Sequence, residues 1–225
     1  MNDASAWHCA LCGTPARAPF HTSRAPELTP DLDMRPGEPV RFTLRDWIQS
    51  CRRCGAAAPD LATLPREAAT VVHSAAYRAV SLSGAEDTAP FRRWAMICLA
   101  SGDRTEAAEA TLQAAWAADD GAAVVEAARL RHEVAALWSD SREIRTALRL
   151  LDVQRRAADF AGLDATLARL SATRMNRFAS SVVRFQRECA AARDVGRHLL
   201  SSAFADHVVP GDWPRPAFWK RLFEV

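Results

Sequence analysis

Lysine is nearly missing from this chain: of 225 residues only Lys220 carries an ammonium group. Glycine is scarce too, and its nine residues never form a G-x-G pair, which excludes a phosphate-cradling Gly-Lys-Ser/Thr loop and a dinucleotide fingerprint. The metalloprotease pattern H-E-x-x-H and the nucleophile elbow G-x-S-x-G are also lacking. No apolar run approaches the roughly 18 residues of a membrane-spanning helix. The opening Met1-Asn2-Asp3-Ala4-Ser5 has neither the basic nor the apolar region of a secretory signal, so a cytoplasmic protein is expected. Neither charge sign is in excess: 29 basic and 27 acidic residues leave a formal charge of +2, which excludes a generally basic, phosphate-seeking chain.

Proline disappears part-way along. Six of the twelve prolines lie between Pro15 and Pro39, and none lies between Pro90 and Pro210. Because proline fixes φ and removes a backbone donor, the first stretch reads as loops and short strands and the second as long helices, with the boundary near Asp60 to Pro65. The expected organisation is a small module over residues 1–62, an α-helical domain over 63–207 and an aromatic tail over 208–225. Val40 to Ser50 is the best strand candidate, because Phe42, Leu44 and Ile48 alternate onto one face. Ala6-Trp7-His8-Cys9 is a shorter one.

After Pro65 the apolar period is helical. Pro65 opens a segment carrying Val72, Ala76, Ala79 and Val80, with Gly84 at the position of a C-terminal cap. Pro90 opens the next, whose face is Phe91, Trp94, Ala95, Cys98 and Leu99 and which stops at Ser101-Gly102. Asp103-Arg104-Thr105-Glu106 is a capping-box variant for a third helix. Val124 to Trp138, Ile144 to Phe160, Leu163 to Leu170 after an interrupting Gly162, Met175 to Ala192, and Val195 to about Phe204 complete the series. Trp94, Leu99, Gly102, Ala107 and Ala114 follow the large, turn and small order of a tetratricopeptide unit. Ala158-Asp159 and Arg193-Asp194 recur at a spacing near its roughly 34-residue period. The fold class expected is therefore mainly α, a tetratricopeptide-like helical array with a small N-terminal β/loop module.

The chemistry-bearing pattern is in the cysteines. Four of the six form two knuckles, Cys9-Ala10-Leu11-Cys12-Gly13 and Cys51-Arg52-Arg53-Cys54-Gly55. Two residues between cysteines allow a tight turn that aims both sulfurs at one ion, and the following glycine takes a positive φ without a Cβ clash. Two such turns make a four-thiolate tetrahedral site for Cys9, Cys12, Cys51 and Cys54. Zinc, structural and one per chain, is the metal expected, with iron in a rubredoxin-like site as the alternative. The 38 residues between the knuckles exceed the roughly 15 to 20 of a common zinc ribbon, although loop closure grows only slowly more costly with length. His8 and His21 are substitute ligands that four cysteines make unnecessary. Cys98 and Cys189 fall on apolar helix faces, Cys189 at the end of the stripe Met175, Phe178, Val182, Phe185, and read as small buried hydrophobes.

The strand-like run that delivers Cys51-x-x-Cys54-Gly-Ala-Ala ahead of a helical domain resembles a family of uncharacterised bacterial proteins. Members pair a two-knuckle zinc-ribbon-like module with tetratricopeptide-like helices. The matching positions are Cys9, Cys12, Cys51 and Cys54. That family commonly has proline inside a knuckle and an aromatic after the second knuckle's glycine, whereas here neither knuckle has proline and Ala56 takes the aromatic's place. The resemblance implies architecture and no activity.

A non-catalytic interaction or adaptor protein is the function expected, its helical groove holding a protein or peptide partner. Nucleic-acid binding through the ribbon is the alternative, and charge disfavours it. Arg17, Arg24, Arg35, Arg41, Arg45, Arg52 and Arg53 are balanced in residues 1–60 by Asp3, Glu27, Asp31, Asp33, Glu38, Asp46 and Asp60. Arg174, Arg177, Arg184 and Arg187 form one basic helix side, a candidate partner contact or simply a solvated face. His73, His132, His198 and His207 are scattered without a legible nucleophile or carboxylate partner. Trp213, Phe218, Trp219, Leu222 and Phe223 crowd the tail, where Pro216 can open a short helix, and suit a cap for the end of the array, with the groove of this chain or of a neighbouring subunit as the alternative seat.

Overall fold

The computed structural model describes residues 7–80 and 86–207. It is mainly α, with a single two-stranded sheet among the described residues. The contacts group the chain into two compact units, residues 7–22 with 43–137 and residues 23–42 with 138–207. The change of proline content near residues 60–65 falls inside the first unit, where loops give way to helices.

In the first unit, strands β1 (Gln49–Ser50) and β2 (Ala57–Ala58) pair antiparallel, Gln49 opposite Ala58 and Ser50 opposite Ala57. Five short or long helices follow: α1 (Ala68–Val72), α2 (Ala75–Ala79), α3 (Ala89–Ala100), α4 (Arg104–Asp120) and α5 (Val124–Trp138). Their ends are set by capping chemistry. The Ser74 hydroxyl accepts the Tyr77 N–H to start α2, and Pro90 sits in the first turn of α3. Gly102, at φ +84, closes α3. Asp103 Oδ1 accepts the Glu106 N–H at 2.9 Å to open α4, while the Glu106 carboxylate accepts from the Trp94 indole instead of closing a full capping box. α3 packs on α4, whose seven buried alanines (Ala107, Ala108, Ala110, Ala114, Ala115, Ala117, Ala118) permit close approach. The core nearest the N-terminus gathers Cys9, Cys51, Ala56, Leu61, Tyr77 and Ile97.

The second unit contains α6 (Ile144–Arg156), α7 (Phe160–Ser171), α8 (Arg177–Ala191) and a terminal 3-10 segment, Leu200–His207. Residues 23–42 join it through an isolated bridge, Asp31 to Leu199, and through Leu32, which enters a core with Leu148, Leu151, Leu163, Val182 and Phe204. Charges are buried here in pairs. Arg41 meets Asp31 at 2.5 Å, Arg156 meets Asp33 at 3.2 Å, and the wholly buried Arg155 binds Asp152 at 2.6 Å and Gln186 at 2.8 Å. Burial, then the neighbouring Asp33 charge, raises the Asp31 carboxyl above its ordinary value despite Arg41.

Several sequence expectations are corrected. Val40 to Ser50 is no long strand: Val40–Asp46 is a 3-10 turn, and only Gln49–Ser50 is extended. Leu44 and Ile48 are buried but Phe42 is 67% exposed, so the alternation was fortuitous. The run before the first knuckle contributes one bridge, His8 to Pro15. The helix expected after Pro65 is two short ones broken at His73-Ser74, and Leu99 is 46% exposed, off the buried face of α3. α6 ends at Arg156, and Gly162 lies inside the first turn of α7, where Asp159 Oδ1 accepts its N–H. The last helical segment begins at Leu200 rather than Val195 and is 3-10. Gly84 and the aromatic tail lie outside the described residues.

Candidate metal centre

Each knuckle is a single backbone turn. In the first, the Cys9 carbonyl accepts N–H groups from Cys12 (3.3 Å) and Gly13 (2.8 Å), and the Cys9 N–H donates to Thr14 at 2.9 Å. In the second, the Cys51 carbonyl accepts the Gly55 N–H at 2.9 Å, and the Cys51 N–H donates to Ala56 at 2.8 Å. Gly13 and Gly55 stand at φ +70 and +75 with open space where a Cβ would be, so their backbone conformation alone calls for glycine. The β1–β2 pairing carries the second knuckle at its turn. The two knuckles are joined by the Ala10 N–H to the Leu61 carbonyl (2.8 Å) and by Gln49, whose buried amide accepts from the Arg17 N–H and donates to the Pro59 carbonyl.

The four sulfurs converge. Cys9 Sγ is 3.6 Å from Cys54 Sγ, Cys12 Sγ is 3.5 Å from Cys51 Sγ, and all four lie within 4.8 Å of one another. Those separations are far beyond a disulfide bond of about 2.05 Å. They approach the edge of about 3.8 Å that a tetrahedron with metal–sulfur bonds of about 2.3 Å requires. Cys9 and Cys51 are buried, and Cys12 and Cys54 are half-buried. Four thiolates would complete a tetrahedral coordination, so the arrangement can take an ion without leaving a position for substrate.

The thiols differ in readiness to ionise. The Thr14 side chain, 3.3 Å from Cys12 Sγ, is the main cause that lowers Cys12 to about 6, whereas burial pushes Cys54 up to about 12 and also raises Cys9. A bound cation would draw off the protons that burial holds on Cys9 and Cys54.

Tyr77, the only tyrosine of the chain, supports the second knuckle from α2. Its hydroxyl accepts the Ala57 N–H at 3.0 Å and donates to the Gly55 carbonyl at 3.1 Å. Nothing in its sequence position signals this, since the two contacts span twenty and twenty-two residues. Thr14 directly follows Gly13, and no sequence pattern signals its contact with the Cys12 sulfur.

The other candidates are placed as follows. Arg174, Arg177, Arg184 and Arg187 are all exposed, with Arg174 ahead of α8, in which the other three lie, and Arg184 within 4.0 Å of Glu188. Cys98 is buried, and burial raises its thiol to about 12. His8, His21, His73 and His132 are exposed, and none joins a metal-ligating cluster among the described residues. Cys189 is buried at the end of its stripe but is not merely apolar filling: its sulfur faces Asp194 and His198. An apolar groove in the second unit is lined by Ile144, Leu148, Phe178, Val182, Leu200 and Phe204, with Arg145 and Arg174 also on its wall. No helix among the described residues is long and apolar enough to cross a membrane. Comparison with protein-family models, curated protein sequences and solved structures finds no match to this chain.

Proposed function

We propose that the chain is a non-catalytic zinc-binding interaction protein, in which one structural zinc folds the knuckle module and the tetratricopeptide-like helices receive a protein or peptide partner. The convergence of four sulfurs to near-tetrahedral spacing carries the metal half of this reading. Thiolates suit zinc or iron, and zinc is preferred because a closed four-thiolate set suits a structural role. For the partner, the groove beside Arg145 and Arg174 favours a peptide that combines apolar anchors with acidic residues.

Metal analysis of untagged protein purified without added metal tests the first half. A zinc content that falls by one per chain, together with loss of folding of residues 7–80, in a Cys51→Ser, Cys54→Ser variant supports the reading; one iron in its place turns it toward a rubredoxin-like carrier or sensor. No metal, with four freely titrating thiols in folded protein, overturns it. Capture experiments with wild type and an Arg145→Glu, Arg174→Glu variant test the second half. A partner retained only by wild type supports the groove, and equal retention by both removes these arginines from the contact.

A further inference from the structure

A second cluster of ligating side chains forms where α8 ends. Arg193 adopts φ +55 there, and the Asp194 N–H reaches back to the Cys189 carbonyl at 2.9 Å, so the chain folds back over the last turn of the helix. The Cys189 sulfur, an Asp194 carboxylate oxygen and a His198 ring nitrogen consequently lie within 4.8 Å of one another. His198 Nε2 is 2.7 Å from Asp194 Oδ2, and Asp194 Oδ1 accepts the Gly196 N–H at 2.6 Å, which fixes the carboxylate's orientation. The imidazole stands edge-on to Phe185 at 5.3 Å.

The loop is pinned from beneath. Arg155, with no exposed surface, donates to the carbonyls of Asp194 and Gly196 at 2.6 and 2.8 Å. Its charge is already balanced by Asp152 at 2.6 Å. Asp194 and His198, with side chains 39% and 26% exposed, form the outward side of the cluster, and Cys189, 7% exposed, forms its floor.

Cysteine, histidine and aspartate together also make nucleophilic triads, but burial of this sulfur keeps an acyl or phosphoryl substrate from it. A bare ion needs no such approach. One thiolate, one carboxylate and a neutral imidazole balance a divalent charge, and the mixed sulfur, nitrogen and oxygen set excludes the hard cations magnesium and calcium.

We propose that Cys189, Asp194 and His198 form a second metal site, for zinc or a divalent ion of similar softness, whose fourth position faces solvent and takes water or an external ligand. The nitrogen–oxygen separation needs to open only from the observed 2.7 Å to about 3.3 Å for bonds of about 2.0 Å in a tetrahedron. This site differs from the four-cysteine centre in being incomplete, the pattern that zinc proteins use for reaction or exchange.

The test is total metal per chain after dialysis of the full-length protein against excess cobalt(II) and removal of free ion, with the near-ultraviolet sulfur-to-cobalt band recorded alongside. The expected result is one more cobalt in wild type than in His198→Gln, whose second site should bind cobalt at least roughly 10- to 100-fold more weakly. Cys189→Ser should remove that site's share of the sulfur-to-cobalt absorption. Comparing variants with wild type makes the outcome independent of what fills the four-cysteine centre, whose loss would lower every count equally. If Cys189→Ser fails to fold, the partly exposed His198→Gln decides alone. Equal cobalt in wild type and His198→Gln, whether one or two per chain, overturns the proposal.

Discussion

Removing one oxygen atom, in Tyr77→Phe, should loosen the four-cysteine centre without touching a sulfur. The ring is 1% exposed and its shape is kept, so apolar packing changes little. What is lost is the bridge between the Ala57 N–H and the Gly55 carbonyl, at 3.0 and 3.1 Å. Ala57 has no exposed surface, so its N–H is left without a partner at a cost of about 1–3 kcal/mol. Gly55 is only half-buried, and water replaces the donor there for about 1 kcal/mol or less. The sum is a destabilisation of about 1–4 kcal/mol. Because Gly55 directly follows Cys54, part of this should appear as metal release roughly 10- to 100-fold easier against a competing chelator. Urea unfolding of metal-loaded protein gives the first quantity and chelator competition the second. A variant that unfolds within about 0.5 kcal/mol of wild type and keeps its metal equally well would refute the reasoning.

Two further predictions concern the helices. Ala158 holds φ +58 at the end of α6, where its exposed Cβ contributes no burial, so Ala158→Gly should stabilise by about 0.5–1 kcal/mol, whereas the same change at the exposed Ala168, inside α7, should destabilise by about 1 kcal/mol. Equal signs in paired urea melts would show that the left-handed turn carries no strain. The Arg129 side chain, aided by Arg92, holds the Glu126 carboxyl below its ordinary value. That stabilisation is complete above the ordinary glutamate range and is lost as pH falls through the depressed folded value. Glu126→Gln should therefore cost about 0.5–1 kcal/mol at pH 7 and nothing near pH 2, and a difference from wild type that persists undiminished in acid would count against the ion pair.

The features legible in the sequence were those decided by neighbours a few residues apart. The knuckles need only C-x-x-C-G, and Pro90, Gly102 and Asp103 mark helix ends through local capping chemistry. Gly162 misled because glycine inside a helical pattern reads as a break. Here a Cβ would run into the Asp159 carboxylate that caps α7, so the glycine serves the start of that helix. Left-handed turns at Ala122, Ala158 and Arg193 carry no glycine, so the recurrence of Ala158-Asp159 and Arg193-Asp194 reads as a repeat spacing and not as turns. The last of these concealed the meeting of Cys189, Asp194 and His198 although all lie within ten residues. Contacts such as Tyr77 on Gly55 exist only once the chain has folded, and no spacing rule reaches them.

The excursion of residues 23–42 out of the first unit also sets an order of events during synthesis. Both knuckles and the helices through α5 are available once residue 138 has been made, so metal capture and the first core can be completed early. Asp31 and Leu32, by contrast, emerge soon after the first knuckle and must wait for Leu199 and the cores of α6 to α8. At about 5–20 residues per second this leaves the segment without its partners for on the order of ten seconds. During that interval a closed metal centre would tether both of its ends, turning a long unpaired strand of nascent chain into a short loop with little freedom to pair elsewhere.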